Sequence, residues 1–131
     1  MATRTFVYLT TPEAVKFHVL YMRKVGETRF GVFDRNLLES ALSRPQNAAN
    51  YENADLIRQA STLCFGLIKN HPWEGGNKRT ATLLMSIFLK RNGWKLTAET
   101  SEIVEMVLAV EADRWSVNEI ETWLRERIIK I

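Results

Sequence analysis

One stretch of the chain concentrates the residue types that handle phosphate: His71-Pro72-Trp73-Glu74-Gly75-Gly76-Asn77-Lys78-Arg79-Thr80. Two adjacent glycines let the backbone approach a ligand closely or take positive φ. A helix is expected to open directly after them, at Asn77, and the free N–H groups and dipole of a helix start favour an anion. Lys78 and Arg79 fall in that first turn, where cations are disfavoured unless an anion offsets them. His71 adds a titratable ring beside the glycines. These features describe a phosphate-binding site with an adjacent base. They equally describe an ordinary turn between two helices, with His71 satisfying a buried hydrogen bond and Lys78 and Arg79 solvated.

Other phosphate and metal chemistries are excluded by spacing. No glycine lies five positions before a Gly-Lys-Ser/Thr triplet, so this is not a Walker loop. Only His18 and His71 are available as histidines, no His-Glu-x-x-His occurs, and Cys64 is the single cysteine, which argues against a zinc site. A lone cysteine also rules out an internal disulfide and fits a reducing compartment.

The elements that must hold this loop are helical. Thr11-Pro12-Glu13 suggests a helix start with Thr11 as the cap, and the helix should stop near Gly26. Asp34 caps a second helix, which Pro45 should end. The strongest periodic signal runs from Ala54 to about Asn70 through Leu56, Ile57, Ala60, Leu63, Cys64, Leu67 and Ile68. Pro72 disfavours helical geometry at His71, so that helix ends by Asn70. A fourth helix runs from Asn77 to Arg91, stopped by Asn92-Gly93. A fifth covers about Ser101 to Ala112, and a sixth opens with the Ser116–Glu119 capping box, stapled by Trp115 and Ile120. Only Thr5–Leu9 and Arg29–Phe33 look extended. The expected fold is all-α, a bundle of about six helices with at most a short N-terminal strand or a hairpin flap.

With 131 residues, the chain is expected to form a single domain over residues 1–131. Hydrophobic residues make up 46% and charged residues 25%, a composition of folded rather than disordered chains. No signal peptide and no membrane-length apolar run is visible, so a cytoplasmic protein with no membrane contact is expected. The net charge of +3 comes from 18 basic and 15 acidic residues that are interleaved, and no helix clusters Lys/Arg on one face. Direct nucleic-acid binding is therefore not expected. Trp73, Trp94, Trp115 and Trp123 are expected in or beside the core, Cys64 on an apolar stripe and His18 in a structural role.

The segment His71–Ala81 resembles the core motif of the Fic/Doc superfamily, His-Pro-Phe-x-Asp/Glu-Gly/Ala-Asn-Gly/Lys-Arg. Lysine after the asparagine, followed by Arg-Thr-Ala, is similar to the death-on-curing (Doc) branch. Leu38–Gln46, Phe65–Asn70 and Asn92–Thr97 extend the likeness, which covers about residues 9 to 125. The resemblance implies a toxin of a type II toxin–antitoxin system. Such a protein moves the terminal phosphoryl of ATP, or another nucleoside triphosphate, with Mg²⁺, onto a protein hydroxyl. The implied acceptor is a threonine of elongation factor Tu, so translation is inhibited. The implied antitoxin is Phd-like, with a disordered C-terminal tail that folds into a groove, expected along the first two helices.

By position, the resemblance makes His71 the general base and Asn77 the residue that orients the phosphate chain. Lys78 and Arg79 neutralise charge, and Gly75 and Gly76 form the backbone cradle with Asn77, Lys78 and Arg79. Two departures stand out. Gly75 occupies the place of the family's acidic Mg²⁺ ligand, which leaves Glu74 as the candidate metal carboxylate; Gly75→Asp is expected to restore a ligand. Phe33 stands where the family often has arginine, in the flap that docks the target. Nucleotidyl transfer, as in Fic enzymes, and a catalytically degenerate binding module are the alternatives, and glycine in place of Lys78 would mark the former.

Overall fold

The computed structural model of the chain describes residues 5–131. Its helix starts are set by side chains that take up free N–H groups. Thr10 accepts from the Glu13 N–H at 3.3 Å while the Glu13 carboxylate accepts from the Thr10 N–H at 3.0 Å, and α1 spans Thr11–Lys24. The cap is thus Thr10, one residue before the expected Thr11, because the reciprocal box requires Glu13 at the third helical position. Asp34 accepts from Leu37 N–H at 3.0 Å to start α2, Arg35–Glu52. Asp55 accepts from Arg58 N–H at 2.9 Å to start α3, Leu56–Asn70. Helix α4 covers Asn77–Arg91, α5 Thr100–Glu111 and α6 Val117–Arg125, the last behind the expected Ser116–Glu119 box. Two short strands, β1 Trp94–Leu96 and β2 Ile128–Lys130, pair antiparallel with Trp94 opposite Lys130. The architecture is all-α with six helices, as expected.

Two further local expectations are corrected. Pro45 does not end α2, which continues through it to Glu52. An interior proline forfeits one helical hydrogen bond and clashes with the preceding turn. Here Leu38 and Ala41 before it and Ala48 after it are all buried, so both halves of α2 are held by packing. The facing helix comes very close at Gly66, where an added Cβ would lie 3.4 Å from the Ala41 Cα and 2.6 Å from the Arg44 Cδ. Thr5–Leu9 forms no ladder: the Asn92 amide accepts from Val7 N–H at 2.8 Å and donates to Val7 O at 3.0 Å, doing what a partner strand would. The observed strands fall instead at residues too short a run to show an alternating pattern.

The core is one cluster drawing on all six helices. Helix α3 is its axis: Ala60, Leu63, Cys64, Leu67 and Ile68 are at most 1% exposed. Truncating such a residue, Leu67 for example, costs about 2–5 kcal/mol. Burial lifts the Cys64 thiol to about 12, so it is inert packing. With α2 and α4 against it, α3 fixes the loop between Asn70 and Asn77 at one end of the bundle. Among the described residues, no helix is long and apolar enough to cross a membrane.

Candidate active site

The loop leaves α3 through His71, which takes left-handed backbone angles (φ 49°, ψ 56°) because Pro72 denies it a further helical turn. It enters α4 through Gly76, also left-handed (φ 69°, ψ 25°). A side chain at 76 would be strained and would meet the Met22 thioether at 2.6 Å. No side chain caps α4, so its first N–H groups stay open. Both side-chain atoms of Asn77 are spent on the loop itself: Oδ1 accepts from Trp73 N–H at 2.9 Å and Nδ2 donates to Trp73 O at 3.0 Å. Asn77 therefore fixes the loop's curvature.

His71, Gly76, Asn77, Lys78 and Arg79 line one cavity of about 290 Å³. Hollows of about 610 and 510 Å³ flank Thr5 and Phe6, but they gather none of these five residues, so chemistry and not size selects the smaller cavity. Each of its two cations has a carboxylate beside it. Lys78 Nζ lies 3.3 Å from Glu111, and Arg79 donates to Glu27 at 2.9 Å, which holds its guanidinium pKa up. His71 Nε2 stands 3.9 Å from the same Glu111 carboxylate and is half exposed. Solvent-exposed pairs of this kind are worth about 0–1 kcal/mol, so an entering polyanion displaces them at small cost.

A flap from the α1–α2 connection covers the loop. Pro72 O accepts from Phe33 N–H at 2.8 Å and Asp34 N–H at 3.1 Å, and Gly31 O accepts from Glu74 N–H at 2.9 Å. The extended Arg29–Phe33 segment is realised as a single bridge, Val32 against Trp73. Phe33 itself is 67% exposed at the flap's edge.

His18 ties flap, loop and helix together. Its Nε2 accepts from Gly31 N–H at 3.0 Å, its Nδ1 lies 2.8 Å from Thr80 Oγ1, and its ring stacks on Trp73 with centroids 4.0 Å apart. The ring is fully buried, and burial lowers its pKa to about 4. The sequence suggests a structural histidine here; that it links three elements of the site depends on long-range contacts no local pattern carries. Glu27 and Glu111 carry no local signal for the same reason, one lying in the turn after α1 and the other ending α5. Trp73 is core, 2% exposed, as expected.

Gly75 and Glu74 do not line the cavity. A Cβ built on Gly75 would stand 2.6 Å from the Arg29 carbonyl oxygen, so the flap backbone fills the space an acidic side chain would need. Gly75→Asp therefore displaces the flap instead of simply restoring a ligand. The Glu74 side chain is exposed and makes no hydrogen bond or ion pair among the described residues. No group of three or more His, Cys, Asp or Glu placed to hold a metal occurs among them. A cavity offering two cations, an imidazole and the N–H groups of a helix start, with glycine at the expected ligand position, does not fit a protein-held divalent ion.

An all-α bundle that presents an uncapped helix start, two cations and a histidine around one cavity defines a class, and the family comparison agrees. The model of the Fic/DOC family matches residues 8–89, and the chain belongs to that family. Within it, the chain is 24% identical over 119 residues to the "Protein kinase doc" of Escherichia phage P1, covering 90% of this chain and 93% of that protein.

Proposed function

We propose that the chain is a Doc-type toxin that transfers the terminal phosphoryl of ATP, or another nucleoside triphosphate, to a protein hydroxyl. The observation that carries this reading is the cavity in which His71, Lys78, Arg79 and the open start of α4 converge. The relative over nine-tenths of the chain bears the name of a protein kinase, which supports the same direction.

Phosphoryl transfer depends on positioning and on electrostatic stabilisation more than on covalent help from the protein. The free N–H groups of α4, with Gly76 leading into them, cradle the phosphate oxygens. Lys78 and Arg79 leave Glu111 and Glu27 to neutralise charge on the transferred and leaving groups. His71, exposed at the cavity's mouth, accepts the proton of the attacking hydroxyl. Asn77 acts by holding the loop, and the flap with Phe33 at its edge presents the target segment. The acceptor is a threonine of elongation factor Tu, so the outcome is arrest of translation in the cytoplasm. A Phd-like antitoxin silences the toxin through its C-terminal tail. Leu20 on α1 and Leu37 on α2 are exposed apolar residues of the two helices along which the groove is expected, and an apolar cavity of about 170 Å³ lies between α4 and α5 at Ile103, Val104, Val107 and Leu108.

Lys78 favours phosphoryl over nucleotidyl transfer, since it narrows the space an intact pyrophosphate would need. Gly75 favours one second reading, a non-catalytic binding module on the same fold. Incubating the chain and elongation factor Tu with triphosphate labelled separately on the α and γ phosphates separates these readings. Label from γ alone on the acceptor supports the proposal, label from α means nucleotidyl transfer, and none from either means a binding module.

A further inference from the structure

We propose that Glu111 is a positioning residue that changes partners when the triphosphate binds, neutralising Lys78 beforehand and the imidazolium of His71 during transfer. The inference rests on the reading of the cavity as a transferase site and names the group that steadies its base. Three charges here sit at helix ends that disfavour them. Lys78 and Arg79 stand in the first turn of α4, and Glu111 is the last residue of α5, at the negative end of its dipole. Helix stability alone selects against a carboxylate there, and no basic residue in the last turn of α5 offsets it. The offsetting groups lie on other elements: Lys78 Nζ is 3.3 Å from both oxygens of Glu111, and His71 Nε2 is 3.9 Å from one of them.

A second ion pair keeps these groups together. Lys69, two residues before His71, pairs with Asp113, two residues after Glu111. It ties the end of α3 to the end of α5, so the carboxylate stays beside the ring whichever partner Lys78 has. A triphosphate in the cavity draws Lys78 Nζ to its own oxygens. His71 is then the remaining basic neighbour of Glu111 among the described residues. In the transfer step the hydroxyl proton passes to His71 and the terminal phosphoryl to the hydroxyl oxygen. The electron pair of the broken bond leaves with the nucleoside diphosphate, and Glu111 forms no bond. The ring becomes positive, and a carboxylate 3.9 Å away favours that charge whichever nitrogen carries the new proton.

The test is Glu111→Gln in the whole chain, which keeps the shape of the side chain and removes its charge. Calorimetric titration with ATP should show binding about fivefold tighter than the parent's, the upper end of what an exposed ion pair contributes, because Lys78 has lost its competing partner. Transfer of γ-label to elongation factor Tu at saturating ATP should be about tenfold slower, because the imidazolium has lost its counter-charge. Glu111→Asp, with the charge on a shorter stem, should fall between the parent and Glu111→Gln in both measurements. Binding no tighter than the parent's, or transfer at the parental rate, would overturn the proposal. Weaker binding together with slower transfer would mark a residue that only holds the fold. If the parent binds ATP and transfers no label, the transferase reading fails and the role at His71 with it, while the titration still decides the exchange at Lys78.

Discussion

His18 of α1 and Thr80 of α4 meet through a 2.8 Å buried hydrogen bond where α4 leaves the loop, 62 residues apart in the chain. Since Nε2 accepts from Gly31 N–H, the ring proton sits on Nδ1 and is donated to Thr80 Oγ1. A second ring proton would set donor against donor at Gly31. Burial accordingly lowers the His18 pKa from its ordinary 6.5 to about 4. Between those values the unfolded chain takes up the proton and the folded one does not. This contribution to stability is complete above about pH 6.5 and is lost as the pH falls towards 4, amounting to about 3 kcal/mol. Urea unfolding across that range should show the loss in the parent. His18→Phe, which keeps the stack on Trp73 without titrating, should be less stable at pH 7 but lack this part of the pH slope. An identical slope in the variant would remove His18 from the explanation.

Gly75→Asp should destabilise the chain by about 1–3 kcal/mol, the usual cost of forcing atoms into a filled space. Its Cβ meets backbone, the Arg29 carbonyl, and no flexible side chain can yield there. Thermal unfolding checks this directly. A variant that melts like the parent and gains activity would mean that the flap moves aside freely.

Lys78→Gly should shift the transferred group from phosphoryl towards nucleotidyl, read as α-phosphate label appearing on the acceptor. The variant also releases Glu111 from its 3.3 Å partner, so triphosphate affinity should fall, and added salt should weaken the parent in the same sense. Product identity unchanged from the parent would show that this lysine does not choose the phosphate attacked.

Much of this molecule is legible in its sequence because its signals are local. The α3 stripe from Leu56 to Ile68, the glycine pair before Asn77 and the Ser116–Glu119 box each declare themselves within a turn or two of helix. The sequence likewise groups His71, Gly76, Asn77, Lys78 and Arg79, which the structure brings to one cavity. What escaped depends on distant partners. Pro45 looks like a terminator until α3 is seen packed along both halves of α2. Gly75 looks like a lost ligand until the Arg29 carbonyl is found against it. Asn77 looks free to hold phosphate until its amide is found closed on Trp73. Residues 94–96 and 128–130 pair only because the bundle brings the chain end back beside α4.

The central claim is that His71 deprotonates a hydroxyl while the start of α4 holds the triphosphate. It is tested most directly by the initial rate of label transfer from γ-labelled triphosphate to elongation factor Tu, with the parent and His71→Ala compared at matched nucleotide occupancy. His71 caps α3 from an exposed position, so the variant should fold and bind nucleotide like the parent. The account predicts a rate lower by about 10²–10⁴-fold, the usual contribution of a general base. Label transferred by His71→Ala at the parental rate would contradict it.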